Sequence, residues 1–313
     1  IKDGYKGDGT SFTLKAIDAS DFTSHTSKFE NPYIAELAQG MPFMLEILRN
    51  SIQVSADNRG SIMYIEQLAA TNNAAEVAEN AVPSESNYTF IQRTLAPAKI
   101  KAFVKVSTDQ LYDKGFLQTQ VNRLIAKDWM LKAHDHLLNG DGQTNKPFGL
   151  LHYATEFDAD AAPKVDDAWL LDLINAMILQ IEVDGKNSFT PNLAFLRNQI
   201  LHEMRTKKDA IGNYMNLNWA LGANMNISGV QLLGNQLAGD NQIVVGDISK
   251  AQLYLWEGME FDVYQEQDDR SKDLVTLKVK GRMNLVVPEN DKKAIVKCTD
   301  YTTDLATITA AGN

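Results

Sequence analysis

The chain has 313 residues, 44% of them hydrophobic and 22% charged, enough for one large or two medium globular domains and too apolar for disorder to be the default. Its formal net charge of −10 argues against strong nonspecific affinity of the whole surface for DNA or anionic membranes, while leaving room for a local basic face. No apolar run reaches the ~18 residues of a membrane span, since Asp172 interrupts even the stretch from Trp169 to Leu179, and the lone Cys298 excludes an intramolecular disulfide and reads as a small core residue.

The sequence opens at Ile1 without methionine or a signal-peptide pattern, so an upstream segment is expected to have been removed or left out. Residues up to about Asn31 are rich in Gly, Asp, Ser, Thr and Lys without periodicity and read as an extended arm, with Phe12, Leu14, Phe22 and Phe29 needing a neighbouring surface to dock on. A broken helical element is expected from Pro32 to Arg49, interrupted at Gly40-Met41-Pro42. Ser61 to Leu68 and Tyr88 to Leu95 read as the two strands of a hairpin. Between them, Ala69 to Asn87 is too polar and small to form a core, and a loop of that length is usually functional or disordered. The strand that follows shows the clearest alternation in the chain. Ile100, Ala102, Val104 and Val106 face one way, while Lys99, Lys101, Phe103 and Lys105 face the other, toward solvent, acidic neighbours or nucleic acid.

A helix is expected to open at Ser107, with Gln110 three residues on completing a capping box. Gly115 weakens the pattern and suggests a bend before a second helix from about Phe116 to Asn139, a spine roughly 35 Å long at ~1.5 Å per residue. Leu117, Val121, Leu124 and Leu131 form one apolar stripe, and Ala126, Met130, Ala133 and Leu137 a second. Gly140 is expected to end the spine in the left-handed conformation, and Pro147 blocks any return to helix. Further on, Asp166 is placed as the N-cap of a helix to Val183 that buries Trp169, Leu170, Leu173, Ile174, Met177, Ile178 and Ile181, with Gly185 as its stop. Asn192 to Leu196 reads as a strand, and Asn198 as the cap of a helix to about Lys207. The fold class is α+β.

Several phrases carry a family resemblance. They are Glu76-Val77-Ala78-Glu79-Asn80-Ala81-Val82-Pro83-Ser84-Glu85 in the hairpin loop, S-x-D-x-L-x-D opening at Ser107, and Asp135 to Gly142 with Lys146-Pro147-Phe148-Gly149-Leu150 after the spine. Later come the strand and helix from Asn192 leading to K-K-D-A-I-G-N-Y-M, then Gly229 to Leu233, Ile243 to Ala251 and Val279 to Pro288. In order and spacing they resemble the major capsid protein of tailed bacteriophages, the Hong Kong 97 type, from about Ile62 to Cys298. The polar tail from Tyr301 falls outside the likeness, and the proline of the family's G-x-P-V strand is absent.

That resemblance implies the phage capsid fold: an N-terminal arm (1–35), an extended β-hairpin loop (58–100), a spine-helix peripheral domain (36–57, 101–149 and 252–290) and an axial domain (150–251 and 291–313). It implies self-assembly into the hexamers and pentamers of an icosahedral shell around double-stranded DNA in the virion, with portal, scaffold or maturation protease and decoration proteins as further partners, no membrane and no cofactor. Subunit-interface residues expected on the loop are Glu76, Glu79, Asn80, Val82, Pro83, Glu85 and Arg93. Some family members lock subunits by an isopeptide bond from a lysine on this loop, yet no lysine occurs from Glu66 through Ala98. Asn284, Glu289 and Asn290 remain as residues that would serve as partners for a lysine elsewhere.

Catalytic signatures are not found. Gly4 to Gly9 has G-x-x-G-x-G order without a preceding strand, and G-D-G-Q-T-N-K after the spine is not a P-loop. No G-x-S-x-G elbow is present. The histidines His25, His134, His136, His152 and His202 show no metal-ligand spacing, and Glu266, Asp268 and Asp269 read as a solvated loop near Arg270 and Lys272. Two other readings stay open: an encapsulating shell of the same fold that stores cargo enzymes, and a soluble hydrolase.

Overall fold

A computed structural model describes residues 48, 52–54, 60–77, 79, 82, 84–109, 115–143, 146–221, 224–235 and 239–310. The expected arm, nearly all of the Pro32–Arg49 element, Gln110 of the capping box, and Asn80 and Pro83 of the loop lie outside them. In chain order the elements are β1 (Ile52–Val54), β2 (Ile62–Thr71), β3 (Asn87–Leu95), β4 (Ala98–Ser107), α1 (Gly115–Asn139), α2 (Leu150–Tyr153), β5 (Thr155–Glu156), α3 (Leu170–Asp184), β6 (Leu193–Leu196), α4 (Asn198–Thr206), α5 (Leu217–Ala220), β7 (Asn226–Ile227), β8 (Val230–Gly234), β9 (Ile243–Gly246), β10 (Gln252–Tyr264), α6 (Gln267–Arg270), β11 (Leu274–Val286), β12 (Ile295–Cys298) and α7 (Tyr301–Ile308). They fall into two compact units, one holding Lys99–His134 and Glu257–Met283, the other Phe43–Ala98, Asp135–Trp256 and Asn284–Asn313.

In the first unit, α1 lies on a sheet in which β11 stands between β10 and β4. The β4 alternation is as the sequence predicts, with Ile100 and Val106 buried and Lys99, Lys101 and Phe103 exposed. On β11, Leu277, Val279 and Met283 are buried while Lys278, Lys280 and Arg282 alternate with them on the other face. Trp129 of α1 joins the two layers. Its Nε1 donates to the Ile100 carbonyl at 3.0 Å, and a Cβ on Gly281 would stand 2.4 Å from its ring. The helix bears on the sheet along Val121, Ile125, Trp129 and Ala133, a single i+4 ridge. Of the predicted stripes, Val121, Ala126, Ala133 and Leu137 are buried while Leu124, Met130 and Leu131 are only half-buried, and the stripes missed Ile125 and Trp129. Thr108 and Asp109 are helical, as a helix opening at Ser107 predicts, and α1 runs from Gly115 to Asn139, beside the predicted start near Phe116 and with the predicted end.

Of the carboxylates read as a solvated loop, Glu266 and Asp268 are exposed as predicted, and Asp269 is the correction. Asp269 is 2% exposed and accepts from Lys105 Nζ at 2.6 Å, Thr276 Oγ1 at 2.8 Å and the Glu266 amide at 3.3 Å. It fixes the turn before β11, and the lysine face of β4 thereby meets an acidic neighbour.

The second unit is built on a six-stranded mixed sheet in the order β5-β12-β9-β6-β8-β7, with β6 and β9 fully buried. Helix α3 covers β9 and β12 with Leu170, Leu173, Ile174, Met177, Ile178 and Ile181, each worth about 1.5–3 kcal/mol against exposure. Its start is later than predicted. Asp166 is not the cap; Trp169 is, and the Asp172 carboxylate accepts its amide at 3.0 Å. Gly185 does follow the last turn, but at φ −81°, and the left-handed residues are Lys186 and Asn187. What Gly185 provides is room, since a Cβ would stand 2.4 Å from the Phe189 ring. Asn198 is the first residue of α4 and not its cap, a place held by Arg197.

Gly140 is likewise not left-handed. A Cβ there would meet the Pro147 and His136 carbonyl oxygens, so glycine lets the returning chain pair closely with the helix end, Gly149 donating to the Gly140 carbonyl at 2.8 Å. The tail left unplaced by the resemblance forms α7, capped by Asp300 and packed on α3, with Ile308 buried.

Candidate subunit interface

Strands β2 and β3 pair antiparallel from Ile62↔Leu95 to Gln67↔Phe90, then shift register at Leu68 and continue from Ala69↔Thr89 to Thr71↔Asn87. Leu68 is thus a bulge residue opposite none. Directly opposed residues share a face, so Ile62, Tyr64 and Glu66 lie with Leu95, Arg93 and Ile91, while Met63, Ile65 and Gln67 lie with Thr94, Gln92 and Phe90. The first face is held by its own unit. Ile62 and Tyr64 pack on the cluster of Leu95, Trp256 and Val286, and Trp256 Nε1 donates to the Gly60 carbonyl at 2.9 Å, fixing the chain where the hairpin begins. The second face is left uncovered: Met63, Ile65, Phe90 and, past the bulge, Tyr88 are exposed.

The polar groups that hold the hairpin come from Asn284 to Asn290. Asn284 accepts the Phe148 and Leu285 amides, each at 2.9 Å, and donates to the Ala96 carbonyl at 2.8 Å. The Glu289 amide donates to Glu66 Oε1 at 2.6 Å, and Asn290 Nδ2 to the Gln67 carbonyl at 2.8 Å. The three residues considered as cross-link partners therefore make hydrogen bonds within the chain. Glu66 Oε2 completes an ion pair with Arg93 Nε at 3.0 Å. Burial, then the Glu66 carboxylate, pushes the Tyr64 phenol above its ordinary value; burial, then Tyr64, Glu289 and Glu66, raises that of Tyr153.

Beyond the strands, the loop is closed at its neck by Asn73, whose amide donates to Ser86 Oγ at 3.1 Å and whose Nδ2 donates to the Glu85 carbonyl at 2.7 Å. Glu76, Glu79 and Glu85 are exposed, and Val82 is 92% exposed. Of the residues expected at an interface, those four project from the loop, while Arg93 turns toward Glu66 near the base. Sequence reasoning did not single out Glu66. A carboxylate inside a strand otherwise rich in Ile, Met and Tyr, with an arginine on the facing strand, is the signal that points to it.

A hairpin exposing one apolar face is carried on a unit that also contains a six-stranded sheet. Residues 39–300 match the phage capsid family, and the chain belongs to that family. It is similar to the major capsid protein of Enterobacteria phage HK97, 25% identical over 250 residues that are 76% of this chain and 61% of that relative, so the chain spans about three-fifths of its length. The fold is that of solved capsids. A structure from Mycobacterium phage Bobi superposes with TM-score 0.64 at 14% identity, covering 90% of this chain and 96% of the other, and the capsid of an empty GTA particle with TM-score 0.63 at 17% identity, covering 86% and 94%.

Proposed function

We propose that copies of this chain assemble through the hairpin into the hexamers and pentamers of an icosahedral virion shell that encloses double-stranded DNA without reading its sequence. The observation that carries this is the outer hairpin face, where Met63, Ile65, Tyr88 and Phe90 are each between 54% and 72% exposed. Large apolar side chains held together on a paired ribbon are costly in water and gain by burial against another subunit. Glu76, Glu79, Asn80, Val82, Pro83 and Glu85 extend that contact along the loop, and Arg93 supports it from the hairpin base. The chain divides functionally into an arm (1–35), the extended loop (58–100), a peripheral domain (36–57, 101–149 and 252–290) and an axial domain (150–251 and 291–313). Portal, scaffold or maturation protease, and decoration proteins are the accessory partners, and net acidity suits a shell that confines DNA without adhering to it.

Electron microscopy of gradient-purified particles, with the nucleic acid content of the same fractions, tests this reading. Closed icosahedral shells holding nuclease-resistant DNA are expected. Shells filled with protein would mark a cargo compartment, and a stable monomer with enzymatic turnover would overturn the proposal.

A further inference from the structure

Glu66 is 7% exposed, between Ile65 and Gln67, both exposed on the opposite face of the same strand. Its two oxygens are committed to different bodies. Oε2 pairs across the ribbon with Arg93, the diagonal neighbour whose directly opposed residue is Tyr64. Oε1 leaves the ribbon for the Glu289 amide at the start of the 3-10 turn Glu289–Ala294, and one residue further along β2 the Gln67 carbonyl takes the Asn290 side chain. Immediately past these bonds lies the Leu68 bulge, where the ladder skips a residue.

An apolar side chain at position 66 would be buried as readily, but apolar contact has no preferred direction, whereas a carboxylate held from two sides admits one orientation. Losing either contact leaves an oxygen of the buried carboxylate without its donor, so each contact restrains the orientation of Glu66. We propose that Glu66 is a positioning residue, a clamp that sets the direction in which the hairpin leaves its unit, so that the exposed face and loop reach a second copy of this chain already aimed. The consequence for assembly rests on the shell reading above; the clamp itself is a property of the single chain.

The test uses full-length unassembled chain carrying spin labels at Ala70→Cys, just past the bulge, and Val183→Cys on α3, both exposed positions of the same unit. Cys298 is fully buried and does not take label. Pulsed electron resonance should give one narrow distance distribution with Glu66 intact. Glu66→Leu should broaden it at least twofold, while Glu66→Gln, which still accepts from the Glu289 amide, should broaden it less. Asn290→Ala serves as a second variant should Glu66→Leu fail to fold, and is expected to broaden the distribution as well. Distributions of unchanged width in folded Glu66→Gln and Asn290→Ala would overturn the clamp, whatever the shells look like. A broadened distribution together with normal closed shells would uphold the clamp and sink the hairpin's role in assembly.

Discussion

Lys105 Nζ lies 2.6 Å from Asp269 Oδ1, joining the outward face of β4 to the turn that leads into β11. The hydrogen bond from Lys105, then those from Thr276 and the Glu266 amide, holds the Asp269 carboxyl below the usual range against the opposing effect of burial, and the bond to Asp269 raises Lys105 in turn. A lowered acid contributes stability that is present above its unfolded pKa of ~3.9 and lost as pH falls through the folded value, while a raised lysine contributes stability lost only as pH climbs past ~10.4. Asp269→Asn should therefore lower the urea midpoint at neutral pH and flatten its decline below about pH 4. An acid limb unchanged from the parent would show that the pair does not govern it.

Gly281 and Trp129 are packed so closely that a methyl group has no place to go. Gly281→Ala should destabilise the subunit by about 1–3 kcal/mol through overpacking, and Trp129→Phe should cost about 1 kcal/mol or more for the lost bond to Ile100. Denaturant unfolding of the two single variants and the double variant checks this. A coupling near zero in that cycle would mean the helix shifts freely on the sheet.

Ile65→Asp and Phe90→Asp place charge on the outer hairpin face, where nothing in the same unit covers it. Each should change unfolding free energy by no more than about 0.5 kcal/mol, as exposed substitutions do, and abolish closed shells. Replacing residues 72–86 with a short turn should act the same way. Thermal melts and negative-stain images of the same preparations separate the two effects.

Boiled, reduced particles should give a single band near the chain mass of 34.8 kDa. No lysine occurs from Glu66 through Ala98 whose uncharged amine would attack a neighbour, Arg93 stays protonated, and Asn284 and Asn290 are engaged within their own chain. A ladder of covalent multimers on a denaturing gel would show that a lysine elsewhere had taken the role.

Local pattern determined a good deal. The alternation from Lys99 to Val106 fixed which face of β4 is buried, and the apolar periodicity from Leu170 to Ile181 fixed the covered side of α3, because each of these faces meets one layer and its side chains sort by that layer alone. The phrases from Glu76 to Glu85 and from Asp135 to Leu150 pointed to the family because their order along the chain survives low identity. Glycine roles were not legible in the same way. Gly140 and Gly185 follow helices and read as stops, the first of them left-handed, yet each is required by a segment that packs back against it, and a neighbour distant in the chain leaves no mark on local sequence. Glu66 and Asp269 are the sharper cases. The first was not singled out and the second read as solvated, since exposure is the usual state of a charge. Only the register across a long loop brings Arg93 diagonal to Glu66, and only the return of β11 beside β4 brings Lys105 to Asp269. Burial of a charge depends on a partner, and the tertiary structure supplied both.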